Sequence, residues 1–300
     1  MKSNIGNCIA IVLVIFFYSE VSFAQNELLR TEIAGIIAEA NGQVGVAIEG
    51  LENGDTLTFN NNYHYPMQSV FKFPLALAVL SEVDKGSFSL DQKIYINKTD
   101  LLPNTWSPLR EKYPNGNIDL PLSELLNYTV AVSDNNGCDI LLRLIGGPAK
   151  VNQFVHNLGI TDMQIVLTEE EMHKEWQAQY KNWSTPAAMA QLLTKFFRNS
   201  FLSETSRDFL WNIMASANTG LKRIKGNLPE GTIVAHKTGS SGTNDDGIAA
   251  ATNDVGIVML PNGKGFAIVV FVSDSPDDEI TRDKIIADIT KAVWDAYLSH

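Results

Sequence analysis

The stretch "YPMQSVFKFPLALAVLSEV", residues 65–83, marks where the chain changes character. Before it, "NELLRTEIAGIIAEA" (26–40) has apolar residues at helical spacing. "QVGVAIEGL", the turn "ENGD" and "TLTFN" then read as a β-hairpin. From Ser69 to about residue 223 nearly every periodic segment is helical. "GPAKVNQFVHNLGI" shows the signals: Pro148 at a helix start, Val151, Phe154, Val155 and Leu158 on one face, and Gly159 at the end. "STPAAMAQLLTKFF" and "SETSRDFLWNIM" follow, each expected to open on a capping serine. Strands return with "GTIVAHKT", "GIAAATNDVGIVML" and "FAIVVFVSD", and an amphipathic helix closes the chain from about 279 to 298. The expected architecture is α/β: one five-stranded antiparallel sheet built from both ends of the chain and flanked by helices. It divides into an α/β subdomain (25–68 and 224–300) and an inserted all-helical subdomain (69–223). A cleft between such units is a favoured place for a ligand.

Within the 300 residues, Lys2, the apolar run "IAIVLVIFF" and "SFA" before Gln25 read as a secretory leader, residues 1–24, too short to span a bilayer. Its removal leaves 276 residues and Cys138 as the one cysteine, because Cys8 goes with the leader. No intramolecular disulfide is then possible, and a cysteine-based metal site is excluded. Cys138 sits on "NNGCDILLRLIGG" with Ile140, Leu141 and Leu144, a core position. The net charge of −11 argues against nucleic acid, whose affinity comes from basic groups facing phosphates. A soluble, exported monomer without lasting membrane association is expected.

Ser69 and Lys72 fall one turn apart on one helix face. The N–H groups at a helix start favour developing negative charge. A serine is a poor nucleophile without a base beside it, and a lysine can serve when burial or a neighbouring cation disfavours its charge. A serine cap beside a solvated lysine would give the same short pattern. Two further stretches decide against that: "AVSDNNG" supplies Ser133-Asp134-Asn135, and "VAHKTGSSG" supplies Lys237-Thr238-Gly239 late in a strand. S-x-x-K, S-D-N and K-T-G in this order are the signature of class A β-lactamases and penicillin-binding proteins.

The chain resembles the penicillin-recognising serine enzymes over its whole mature length. In "IVLTEEEMHKEWQAQYKNWSTPAAM", Glu169-Glu170-Glu171-Met172-His173 is similar to the E-x-x-L-N element of the class A Ω-shaped loop, here at about 162–186. His173 in place of asparagine resembles the PER-type extended-spectrum branch, which carries over also as PER/VEB-like. The resemblance implies β-lactam hydrolysis through a serine acyl-enzyme, without metal or organic cofactor, in the periplasm. It implies Ser69 as nucleophile, Lys72 or Glu169 (through a water) as acylation base, and Glu169 as activator of the deacylating water. Glu170 and Glu171 are adjacent alternatives for that register. Ser133 and Lys237 would pass a proton to the departing nitrogen, and Asn135 would bind the acylamino group. Thr238, Ser240 and Arg223 would hold the carboxylate, since "TNDDGIAAA" carries no arginine after K-T-G; Lys222 and Lys225 are alternatives to Arg223. Ser241 would line the strand edge, Trp106 the cleft rim or the core, and His173 would organise the loop. A D,D-peptidase or a β-lactam sensor domain shares the motifs but lacks a deacylating carboxylate.

Overall fold

The computed structural model describes residues 27–198 and 201–299. The expected leader lies outside the described residues. Helix α1 (27–39) leads into the hairpin β1 (Gln43–Gly50) and β2 (Thr56–Phe59). A two-residue strand β3 (Tyr65–Pro66) and a 3-10 turn (Gln68–Phe71) precede α2 (Lys72–Asp84). The hairpin β4 (Lys93–Ile96) and β5 (Ile118–Pro121) encloses the short α3 (Pro108–Lys112). Helices α4 (Leu122–Ala131), α5 (Asn135–Ile145) and α6 (Pro148–Asn157) follow. A long loop then carries β6 (Met163–Gln164), α7 (Glu169–Met172), a 3-10 turn (Trp176–Lys181) and β7 (Trp183–Ser184). Helices α8 (Pro186–Phe197) and α9 (Glu204–Ala215) complete the insertion, and β8 (Val234–Ser240), β9 (Thr252–Met259), β10 (Gly265–Ser273) and α10 (Glu279–Leu298) end the chain.

The main sheet has the order β2-β1-β10-β9-β8, with every neighbouring pair antiparallel. The insertion leaves it between β2 and β8, as the sequence pattern predicts. Side chains alternate across a strand, and β10 shows what that does here. Phe266, Ile268, Val270 and Val272 face Ile33 of α1 and Ile286 and Val293 of α10. Ala267, Val269 and Phe271 face the opposite way, into a core shared with α2 and α8. A strand buried on both faces reads as a continuous apolar run, which is what "FAIVVFV" is.

Three expectations need correction. The insertion is not purely helical: β4 pairs β5, and β7 pairs both β3 and β6. Thr185, not Ser184, caps α8, its hydroxyl accepting from the Ala188 N–H. Pro186 is the first helical residue, so the capping place is the one before it, and Ser184 lies in β7. Residues 247–251, expected to open a strand, belong to a turn-rich loop with isolated bridges, and β9 starts only at Thr252. Ser203 caps α9 as expected, accepting from the Ser206 N–H. Cys138 is fully buried in the larger core.

Candidate active site

Ser69 lies in the 3-10 turn rather than in α2 itself, so Lys72 opens the α-helix. The residue before it, Gln68, has φ +47°, a left-handed conformation that costs a non-glycine residue free energy. Its buried side chain donates to the Oε1 of Gln179 in the loop's 3-10 turn, which holds that conformation in place. The Lys72 Nζ donates to the Ser69 Oγ at 2.9 Å, which fulfils the one-turn spacing.

Lys72 is fully buried and meets four residues. Its Nζ lies 2.9 Å from the Glu169 Oε1, 2.6 Å from the Asn135 Oδ1 and 2.9 Å from the Ser133 carbonyl, besides Ser69. Such pairing and hydrogen bonding is what a buried charge needs. The Ser69 hydroxyl in turn approaches the Glu169 Oε1 at 3.5 Å. Of the three adjacent glutamates, Glu169 is the one that lies at Ser69: Glu170 is exposed, and Glu171 closes a capping box with Thr168.

Ser133 has φ +61°, which aims its hydroxyl into the cleft, where the Lys237 Nζ donates to it at 2.9 Å. Lys237 is also fully buried. Burial first, and the Lys72 charge second, push its ammonium well below the ordinary lysine range; Glu169 and Asp254 oppose this. The glycine of K-T-G has a steric reason. A Cβ on Gly239 would sit 2.4 Å from the Met67 carbonyl, so only glycine lets β8 lie this close to the nucleophile's turn.

The cleft holds about 850 Å³ and is lined by Ser69, Ser133, Asn135, Thr238, Ser240 and Arg223, with Trp106 and His173 at its edges. Arg223 is buried; its Nε donates to the Asp283 Oδ1 at 2.7 Å, and its Nη2 to the Ser240 Oγ at 2.9 Å. Lys222 is exposed and Lys225 donates to the Ala217 carbonyl, so Arg223 is the cation that β8 and the cleft share. Thr238 and Thr219 share a 2.7 Å hydrogen bond. Trp106 is at the rim and not in the core: it is 57% exposed, with its indole N–H on the Val132 carbonyl. The structure does not bring Ser241 in. Its hydroxyl turns to the Gly242 and Ala251 carbonyls, and it is absent from the cleft wall.

His173 ties down the loop. Its Nδ1 lies 2.6 Å from the Glu169 carbonyl, and since a carbonyl only accepts, that nitrogen carries the proton. Asp139 holds the same turn from beneath, its carboxylate accepting from the N–H groups of Glu169 and Glu170 at 2.7 and 2.9 Å. Burial pushes Asp139 up to about 6 against the pull of those N–H groups. Asn182 braces the loop's other limb through the Val166 and Leu167 N–H groups and the Leu167 carbonyl. Sequence reasoning missed Asp139, although it stands four residues after Asn135 on the same helix, one turn along the face that meets Lys72. It also missed Thr105, which accepts from the Asn135 Nδ2 at 2.7 Å. Nothing local marks that threonine.

Residues 28–297 match the Beta-lactamase enzyme family. The chain is 51% identical to Beta-lactamase VEB-1 of Pseudomonas aeruginosa, over 96% of this chain and 97% of the relative. It is 41% identical to Extended-spectrum beta-lactamase PER-1 of the same organism, over 94% and 92%. The crystal structure of TLA-1 extended spectrum Beta-lactamase superposes with a TM-score of 0.90 at 55% identity, covering 91% of this chain and 99% of that one.

Proposed function

Because the chain belongs to the beta-lactamase enzyme family, among its class A members, we propose that Ser69, Lys72, Ser133, Glu169 and Lys237 carry out its β-lactam hydrolysis. The enzyme opens the lactam ring of penicillins and cephalosporins and so confers resistance, with extended-spectrum relatives. One observation carries the assignment: a single buried ammonium, Lys72, stands 2.9 Å from both the Ser69 Oγ and the Glu169 Oε1.

In the proposed sequence the Ser69 Oγ attacks the lactam carbonyl. Its proton leaves through a water to Glu169, or to Lys72 once that amine has passed its own proton to the Glu169 carboxylate 2.9 Å away. Backbone N–H groups of Ser69 and Ser240 hold the oxyanion, and one such donor is worth roughly 10²–10³ in rate. The C–N bond then breaks, and the Ser133 hydroxyl, replenished from the Lys237 side, protonates the nitrogen. A lysine whose ammonium is disfavoured by burial gives up a proton readily, which supports that role. Asn135 binds the acylamino group, while Thr238, Ser240 and Arg223 hold the carboxylate. Glu169, once more a carboxylate, then takes a proton from water; the hydroxide cleaves the ester, and the proton passes from Glu169 by way of Lys72 to the departing Ser69 Oγ. Trp106 borders the substrate, and His173 keeps Glu169 aimed. A D,D-peptidase or sensor would lack a carboxylate here, and Glu169 supports the hydrolase.

Export by the 1–24 leader to the periplasm and action there as a monomer belong to the same proposal. Related β-lactamases are typically secreted, and no described helix is long and apolar enough to cross a membrane. The test is mass spectrometry of the mature protein mixed with a cephalosporin, alongside ring absorbance. Ring opening far beyond one equivalent, with the protein returning to its free mass, is expected; Ser69→Ala abolishes it while the fold persists. A stable stoichiometric adduct on the unaltered enzyme would sink the reading.

A further inference from the structure

The cleft wall beyond Arg223 differs from the rest of the site. Leu221 and Ile280 are large apolar residues left 55% and 70% exposed, and both line the cleft. Glu279, the first residue of α10, lines the same cleft, 70% exposed, its carboxylate 3.8 Å from the Arg223 Nη2. Arg223 already has Asp283 on its Nε, so a substrate carboxylate placed on Arg223 and Ser240 would satisfy the guanidinium without Glu279. That would leave an acidic oxygen on the same cleft wall as two bare aliphatic side chains. The opposing charge on this wall is Lys222, an exposed ammonium on a flexible stem.

The geometry points to a subsite, formed by Leu221, Glu279 and Ile280, that receives the C3 arm of cephalosporins and favours arms that are apolar and cationic. The inference rests on the carboxylate assignment to Arg223. In a cephalosporin the carboxylate sits on C4 and the variable arm on the neighbouring ring carbon, C3. With the carbonyl at Ser69 and the carboxylate at Arg223, that arm emerges beside Arg223, on the side away from Asn135. Leu221 and Ile280 then cover its apolar atoms, and Glu279 meets its positive charge. Penicillins have no such arm.

The test uses three cephalosporins that share one aminothiazolyl-methoxyimino acyl group. Cefepime has a cationic N-methylpyrrolidinium arm, cefotaxime a neutral acetoxymethyl arm and ceftriaxone an anionic triazine arm. Ratios of kcat/KM within each variant cancel any loss of folded protein. Glu279→Gln should lower the cefepime-to-cefotaxime ratio about two- to fivefold, the range expected for an exposed ion pair. Glu279→Lys should lower it further and raise the ceftriaxone-to-cefotaxime ratio. Ile280→Ser and Leu221→Ser should lower all three relative to benzylpenicillin. Ratios unmoved in both Glu279 variants, or an unaltered enzyme that prefers the anionic arm, would overturn the subsite while leaving the hydrolase intact. No turnover of any of the four lactams would instead overturn the hydrolase reading, and this inference with it.

Discussion

Glu169 and Arg223 are where single atoms decide the outcome. The Glu169 carboxylate approaches the Ser69 hydroxyl at 3.5 Å and pairs with Lys72. Glu169→Gln should therefore slow deacylation more than acylation. A general base contributes about 10²–10⁴-fold, so a cephalosporin should leave an adduct of one acyl group per chain in the mass spectrum. Accumulation in Glu170→Gln or Glu171→Gln instead would displace the assignment. Arg223→Ala removes a charge-assisted hydrogen bond to the substrate carboxylate, and KM should rise about tenfold for penicillins and cephalosporins alike. An unchanged KM would return the role to Thr238 and Ser240 alone. Ser69, Lys72, Ser133 and Lys237 around them were legible in the sequence because S-x-x-K, S-D-N and K-T-G are short local patterns. Thr105 and Asp283 were not, because their meaning lies in what they touch across 30 and 60 positions of chain.

The loop of residues 162–186 carries Glu169, and α5 is its anchor. Asp139 joins them, and its titration has a sign that can be worked out. Burial raises its carboxyl from 3.8 to about 6 in the folded protein, so the folded state binds the proton more tightly than the unfolded state. Its contribution to stability is then fully present below the unfolded value. It is lost as pH rises through about 6, by at most about 3 kcal/mol, at 1.36 kcal/mol per pKa unit. Asp139→Asn cannot titrate. Urea unfolding between pH 4.5 and 7.5 should show the unaltered protein losing ground relative to this variant as pH rises. Parallel pH profiles would refute the anchor's titration. The sequence showed the loop's existence and its glutamate, but not its short strands. Two-residue strands such as β6 and β7 carry no periodicity to read.

The whole molecule is two apolar layers sharing one sheet. Phe271 and Ile268 project from the same strand to opposite faces, both fully buried. Phe271→Ala should cost about 3–5 kcal/mol and Ile268→Ala about 2–5. Because β1, β8, β9 and β10 serve both layers, each variant should still unfold in one transition, with tryptophan fluorescence and far-ultraviolet circular dichroism coinciding. Separate transitions would mean that the layers hold independently. The alternating and continuous apolar strands made this plan legible from the sequence, since burial on one or both faces writes itself into the pattern. Cys138 gives the plan a practical consequence. Its thiol lies in the larger core with no surface exposed, and burial pushes its ionisation well above the ordinary range. Among the described residues it is the one cysteine. An alkylating reagent can reach it only when the interior parts, so its labelling rate is a native stopwatch for breathing beneath the catalytic floor, with no engineered reporter required.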